Sequence, residues 1–219
     1  MAALGGSRGR SSRSARFLLG PGIAKYWVAS LLVFAVPMIA SSILYEEIAG
    51  SPLGEAVSEA LSDLERRASW LQDIENPAAR AAAVFALILA NNVIVAVIMA
   101  ASSVTLLIPV GVLAFNGVMV GYVMGAFLRG LTGTVEAQAA AVEPSTIDLF
   151  VALTPHGIIE IPALALIAAP LLAAGKIGYV EAVKTSISLL PVTLALLAVA
   201  ALVESTITVI LLALVQAVG

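Results

Sequence analysis

Long apolar stretches separated by polar segments make up most of this chain. A membrane-spanning helix needs about 20 consecutive, mostly apolar residues. Stretches of that kind cover residues 26–44, 81–101, 104–128, 149–173 and 186–218. The last is too short for two spans and a turn, so it predicts one long helix, tilted or broken near Pro191. We therefore predict an all-α, polytopic membrane helix bundle with five transmembrane helices over residues 26–219.

The segment between the first two spans, residues 45–80, is charged but regularly patterned. Ser51 can cap a helix, Pro52 suits its first position, and Pro77 follows its end. This segment predicts one amphipathic extracytoplasmic helix over residues 51–76. Its apolar stripe either lies back on the bundle or on lipid, or receives a partner protein or a second copy of the chain. The stripe consists of Val57, Leu61, Leu64, Ala68 and Leu71.

The overall composition supports a membrane environment. Hydrophobic residues make up 61% of the chain and charged residues 11%, whereas a soluble domain carries about 25% charged residues. So few charges cannot cover a soluble surface. The predicted partner of most of the surface is therefore the lipid bilayer.

Basic residues predict the orientation, because cytoplasmic flanks of membrane spans are enriched in Lys and Arg. The segment over residues 45–80 is mostly acidic instead. We predict a multi-pass protein of the cell membrane with a cytoplasmic N-terminus, an extracytoplasmic C-terminus and a disordered basic tail over residues 1–25. The basic residues that flank the predicted cytoplasmic side are Arg8, Arg10, Arg13, Arg16, Lys25, Lys176 and Lys184.

The first span is predicted to be retained rather than cleaved. The apolar core of a signal peptide has about 7–15 residues, and the run over residues 26–44 is longer. The basic tail before it is explained by its effect on orientation. No nucleic-acid partner is expected.

Polar side chains occur near the middle of several predicted spans. Such residues are costly in hydrocarbon, so they normally face the bundle interior and pair there. His156 and Glu160 are four residues apart and share one face of the fourth span. We predict that they face the asparagines as the polar centre of the bundle, with Glu204 as an additional polar residue. The predicted intramembrane polar cluster consists of Asn91, Asn92, Asn116, His156 and Glu160.

Prolines and glycines accompany this cluster. Pro155 and Pro162 remove backbone donors and release carbonyls inside the fourth span, and Gly157 lets another backbone approach. In the third span a glycine recurs every four residues, which forms a smooth face for a packed helix. We predict helix packing and kinks at these positions. The repeated glycines are Gly117, Gly121 and Gly125.

Several enzyme classes are excluded by the residues. The chain has no cysteine and a single histidine, so it has no thiolate site and no zinc-protease pair of histidines. It also lacks a serine nucleophile elbow and a phosphate-binding glycine loop. We expect no enzymatic activity, no catalytic residue, no cofactor and no metal.

Three segments resemble the stage II sporulation protein M family. They are "NN" at Asn91–Asn92, "FNGVMVG" at Phe115–Gly121 and "TPHGIIEIPA" at Thr154–Ala163, where the threonine replaces a frequent leucine. The resemblance implies a five-span protein that anchors a membrane complex rather than a catalyst. In endospore-forming bacteria the named member acts with peptidoglycan-degrading partners. The matching positions are Asn91, Asn92, Asn116, Gly117, Gly121, Pro155, His156, Gly157, Glu160 and Pro162.

Two functions follow as hypotheses. The first is a non-catalytic scaffold or anchor that holds partners through the bundle and the helix over residues 51–76. The alternative is a channel or transporter with a proton, ion or small-solute path past His156 and Glu160. A scaffold would keep these side chains dry and hydrogen-bonded, whereas a transporter would expose them to water. The glycine face makes a homo-oligomer an expectation under either hypothesis.

Overall fold

The structure is a computed structural model that describes residues 21–129 and 159–218. Regular structure in these two ranges is helical, and neither range contains a β-strand. Most of the predicted basic tail, and residues 149–158 of the predicted fourth span, lie outside the described residues. The helices are α1 (Pro21–Ile43), α2 (Tyr45–Ala49), α3 (Pro52–Ala68), α4 (Pro77–Ala101), α5 (Leu107–Leu128), α6 (Ile161–Leu172), α7 (Ala174–Ile177) and α8 (Tyr179–Val218), with 3-10 turns at Ser69–Asp73 and Ser102–Val104.

In the two described ranges, four helices are long and apolar enough to cross a bilayer, so the chain is a multi-pass membrane protein. Their apolar segments are Gly22–Ile43, Ala78–Val104, Leu107–Leu128 and Tyr179–Thr206. The described part of the predicted fourth span is α6, whose 12 residues are too few to cross a bilayer alone. The described ranges therefore contain four spanning helices rather than the predicted five.

The helix α6 lies at the centre of the bundle, between α1 and α8 and against α4 and α5. Its side chains are buried almost all round, which a helix at the lipid surface could not achieve. Small residues at Ala163, Ala165, Ala168 and Ala169 allow the surrounding helices to approach closely. This central position brings the residues at the start of α6 into the interior of the protein.

The last helix, α8, runs for 40 residues without interruption. At 1.5 Å per residue it is about 60 Å long, twice the hydrocarbon thickness of about 30 Å. It begins at Tyr179, before the predicted start at residue 186. Pro191 lies on its exposed side, while Ser186 and Thr193 on either side of the proline are buried against α6. The residues form the predicted single long helix, and of its two predicted alternatives, tilted or broken near Pro191, the break is absent.

The segment between α1 and α4 folds into helices at one end of the bundle. The Ser51 hydroxyl caps α3 by accepting a hydrogen bond from the Gly54 N–H at 3.3 Å. Val57 is fully buried, so the first turns of α3 pack on the protein. The helix ends at Ala68 and continues as a 3-10 turn, so it is shorter than the predicted helix over residues 51–76. Asn76 then caps α4 through its side-chain oxygen.

Candidate functional site

A buried pair of polar side chains lies where α4 meets the start of α6. The Asn92 Nδ2 donates a hydrogen bond of 2.8 Å to Glu160 Oε2. Asn92 is 2% exposed and Glu160 is 4% exposed. Residues 159–160 have a π-helical conformation and lead into α6. Two residues of the predicted polar cluster are thus in direct contact.

Buried apolar side chains lie close to this pair along both helices. Ile161 and Leu164 follow Glu160 on α6, Ala96 follows Asn92 on α4, and all three belong to the main hydrophobic core. Leu197 of α8 joins the same core and is fully buried. The bond therefore joins α4 to the start of α6 in the interior of the bundle.

Three other residues of the prediction take no part in this bond. Asn116 donates to the Val112 carbonyl of its own helix at 2.9 Å. Asn91 is half-buried and takes no part in the Asn92–Glu160 bond. Glu204 is half-buried on α8. The contact between Asn92 and Glu160 thus supports one pairing of the predicted cluster, and the cluster as a whole stays a prediction.

The histidine of the predicted cluster, His156, lies outside the described residues, together with Pro155 and Gly157. Pro162 is described and stands in the first turn of α6, where a proline removes no hydrogen bond of that helix. Its carbonyl oxygen accepts a hydrogen bond from Trp27 Nε1 at 3.0 Å.

Trp27 is a residue that sequence reasoning missed. Its bond to Pro162 ties α1 to the first turn of α6, two residues after Glu160. Tryptophan near the end of a span is typical of the membrane interface. From the sequence alone, its position therefore indicates an anchor in lipid rather than a contact between two helices. The signal that could have identified this contact is that a buried indole N–H requires a hydrogen-bond acceptor.

The predicted glycine face packs against α1. We call this contact the glycine interface: Gly117, Gly121 and Gly125 of α5 against the backbone of α1. A Cβ atom built on Gly117 would overlap the Phe34 carbonyl oxygen, and one on Gly121 the Met38 carbonyl oxygen. At Gly125 it would lie 2.9 Å from the Ser42 oxygen. The partners on α1 follow in the same order as the glycines, so the two helices run parallel. Their backbones are in contact because the glycines have no side chains.

A second interface joins the central helix to α8 through hydroxyl groups. We call it the hydroxyl interface: Ser186 and Thr193 of α8 against carbonyls of α6. Ser186 Oγ donates to the Ile167 oxygen at 2.7 Å, and Thr193 Oγ1 donates to the Ala163 oxygen at 3.4 Å. The order of these partners shows that α6 and α8 are antiparallel.

Arg129 closes the end of the bundle that bears α2 and α3. It follows α5 directly, and its guanidinium donates to three backbone carbonyls while it lies over the Tyr45 ring. Burial, followed by the neighbouring Tyr122 hydroxyl, raises the pKa of Tyr45 above its usual value, so this phenol stays neutral. The sequence signal was a single basic residue immediately after a span. The carbonyl partners are Ser42, Ile43 and Gly125, at 3.0, 2.9 and 3.0 Å.

Comparisons with known proteins identify one family. The family model described as stage II sporulation protein M matches residues 15–209. No curated protein and no solved structure shows a significant similarity to the chain. The match includes the glycine interface, the Asn92–Glu160 pair and the described part of α8 up to residue 209.

Proposed function

The chain belongs to the stage II sporulation protein M family, and on that premise we propose that it is a non-catalytic scaffold that anchors a membrane complex. The observation that carries this proposal is the bond between Asn92 and Glu160. Both side chains of this bond are buried in the bundle. An intramembrane carboxylate in that state stabilises helix packing.

A transport path would require different surroundings for the same carboxylate. An ion or proton on its way across the bilayer must reach Glu160 from water, whereas this side chain is 4% exposed. On α8, the buried positions between Thr193 and Glu204 are apolar: Leu197, Ala200 and Ala201. These apolar positions leave no polar path along the buried side of α8 between Thr193 and Glu204, which favours the scaffold over the channel.

The five-span topology with a cytoplasmic N-terminus is part of the proposal. In such a topology the first and third spans are parallel, and the fourth and fifth are antiparallel. The glycine and hydroxyl interfaces have these directions. Lys25 and Lys176 lie close together at the end opposite to Arg129, and the basic end of a bundle is expected in the cytoplasm. The fourth span then consists of α6 and the residues before it.

The extracytoplasmic segment would supply the surface for partner proteins. The exposed side of this segment carries Leu53 and Trp70 among charged residues such as Glu55 and Glu59. Aromatic residues within a polar rim are typical of binding surfaces. A homo-oligomer gains no support from the glycine face, because α1 already occupies it. A second copy would have to bind through the same outer surface.

The experiment that tests the scaffold against the transporter is a flux assay in liposomes. Ion and proton flux would be measured for the wild type, Glu160→Gln and His156→Ala, with thermal unfolding in detergent as the control for folding. We expect flux at the level of protein-free liposomes for all three proteins. Wild-type flux that disappears in a stable Glu160→Gln variant would establish a transporter instead.

The outer surface requires its own test. Native gel electrophoresis of cell membranes would compare the wild type with a Leu53→Ser, Trp70→Ser double variant. A scaffold should migrate in a complex larger than the isolated chain, and the double variant should lose that complex while it keeps its thermal stability. An unchanged complex would exclude this surface as the place where partners bind.

A further inference from the structure

The turn between α4 and α5 carries no charged residue, whereas the segment between α1 and α4 and the connection between α6 and α8 do. No Asp, Glu, Lys, Arg or His occurs between Arg80 and Arg129. Both arginines belong to the end of the bundle near α2 and α3. The opposite end of this helical hairpin, Ser102 to Leu106, has no group that would fix it in water.

The apolar character of this turn extends to its exposed side chains. Leu107 is 82% exposed and Val104 is 63% exposed, and Leu106 and Ile108 are exposed as well. Exposed apolar patches of this kind mark a contact with protein or lipid. They continue the exposed apolar surface of α4, which includes Ile98.

Three polar groups of the turn are hydrogen-bonded to the chain itself. The Thr105 N–H donates to the Ser102 oxygen at 2.8 Å, and Thr105 Oγ1 donates to the same oxygen at 3.1 Å. Ser102 Oγ donates to the Ile98 oxygen at 2.5 Å. These paired groups require no water at a lipid boundary, and the hydroxyl of Ser103, which has no partner in the described ranges, is buried inside the protein rather than turned toward lipid.

The length of the hairpin determines how deep the turn lies. From Arg80 to Ser102 the rise of 1.5 Å per residue gives about 33 Å, and the hydrocarbon core is about 30 Å thick. With Arg80 and Arg129 at one interface, the turn reaches the boundary between the acyl chains and headgroups on the other side. It does not extend far enough to clear the headgroup layer.

The neighbouring turn at the same end has the opposite character. The start of α5 lies at the same end as the start of α1, because these helices are parallel. Lys25 of α1 lies close to Lys176 of α7, so the connection between α6 and α8 belongs to that end too. It carries this lysine and an exposed glycine, Gly175.

We propose that the α4–α5 turn inserts into the bilayer, with Val104, Leu106, Leu107 and Ile108 among the phospholipid acyl chains just below the headgroups. The connection around Gly175 faces water at the same end of the bundle. The turn is thus a lipid-binding element, and this assignment does not depend on whether the protein is a scaffold or a transporter.

The natural absence of cysteine makes the test direct. Single cysteines would replace Leu107, Val104 and, as the matched control, Gly175, where an added Cβ meets nothing within 4 Å. Each variant would be placed in lipid nanodiscs, which expose both faces, and treated with a membrane-impermeant maleimide. Thermal unfolding would verify that each variant is folded.

We expect the cysteines at positions 104 and 107 to react at least ~10-fold more slowly than the one at 175, because an apolar environment disfavours the thiolate. In SDS all three should react at the same rate. A fluorophore at position 107 should be quenched by brominated acyl chains, and one at 175 should not.

Two results would overturn the proposal. Equal maleimide rates at 107 and 175 in nanodiscs would place the turn in water. Slow reaction at 107 without quenching by brominated lipid would show that protein covers the turn, either a second copy or another segment of this chain.

Discussion

The glycine interface and the hydroxyl interface hold this bundle together in different ways. In the first, α1 and α5 approach until their backbones touch, because Gly117 and Gly121 have no side chain. In the second, Ser186 and Thr193 donate hydrogen bonds from α8 to carbonyls of α6. A larger side chain at one glycine pushes the two helices apart, so the contact is lost over its whole length. The removal of one hydroxyl, in contrast, costs a single hydrogen bond and leaves the other in place. We therefore expect substitutions at the two interfaces to differ strongly in size.

The largest effect is expected for Gly121→Leu. A Cβ atom there overlaps the Met38 carbonyl oxygen, and a backbone atom cannot move aside without separating α1 from α5. We expect a loss of about 3 kcal/mol or more in the free energy of unfolding in detergent. Gly111→Leu is the matched control on the same helix, because nothing lies within 4 Å of its added Cβ. Equal losses for both variants would refute the steric explanation.

A smaller loss is expected for Asn92→Leu, which removes one hydrogen bond of the buried Glu160 side chain. A buried hydrogen bond to an acidic side chain contributes about 1–3 kcal/mol. Glu160→Gln keeps an acceptor for Asn92 and should be milder. The free energy of unfolding in detergent would be measured for Asn92→Leu, for Glu160→Gln, for Glu160→Leu and for the double variant that combines the two leucine substitutions. Additive losses in the double variant would show that the two side chains do not interact.

A loss of about 0.6–1.7 kcal/mol is expected for Ser186→Ala, which removes one hydrogen bond between membrane helices. Thr193→Val should cost less, because its bond is longer, 3.4 Å against 2.7 Å. Ser188→Ala is the control, since Ser188 bonds the carbonyl of Thr185 on its own helix. Unfolding in detergent would rank the three variants. A larger effect of Ser188→Ala would contradict the assignment of the hydroxyl interface.

The smallest effect is expected at a serine that belongs to neither interface, and with the opposite sign. Ser103 is fully buried, and in the described ranges its hydroxyl has no hydrogen-bond partner. Ser103→Ala should stabilise the protein by up to about 1 kcal/mol, because a buried unpaired hydroxyl is unfavourable. Ser102→Ala is the control and should lower stability slightly, since Ser102 bonds the Ile98 oxygen. A melting temperature that falls for Ser103→Ala would indicate a partner for this hydroxyl.

The sequence predicts the helical architecture well where hydropathy alone determines it. The helices α1, α4 and α5 overlap the predicted spans at 26–44, 81–101 and 104–128. Their ends depend on local contacts that hydropathy does not register. Asn76 caps α4, and Gly178, with a φ of 88°, separates α7 from α8.

The site is harder to predict because it depends on helix rotation. Asn91 and Asn92 are neighbours in sequence, but successive residues of an α-helix point about 100° apart. The amide that bonds Glu160 is Asn92, which is determined by how α4 packs on α6. For the same reason the glycine spacing predicted a packed helix but did not identify α1 as that helix.

The glycine interface has a consequence for biosynthesis. Ser41 of α1 donates to the Val118 carbonyl of α5, which follows it by 77 residues. At ~5–20 residues per second, translation of that interval takes about 4–15 s. During this time α1 has been synthesised and α5 has not, so the glycine interface cannot yet form. The hydroxyl of Ser41 also lies 3.2 Å from the Met38 oxygen of its own helix, so it remains bonded while the chain is still being made.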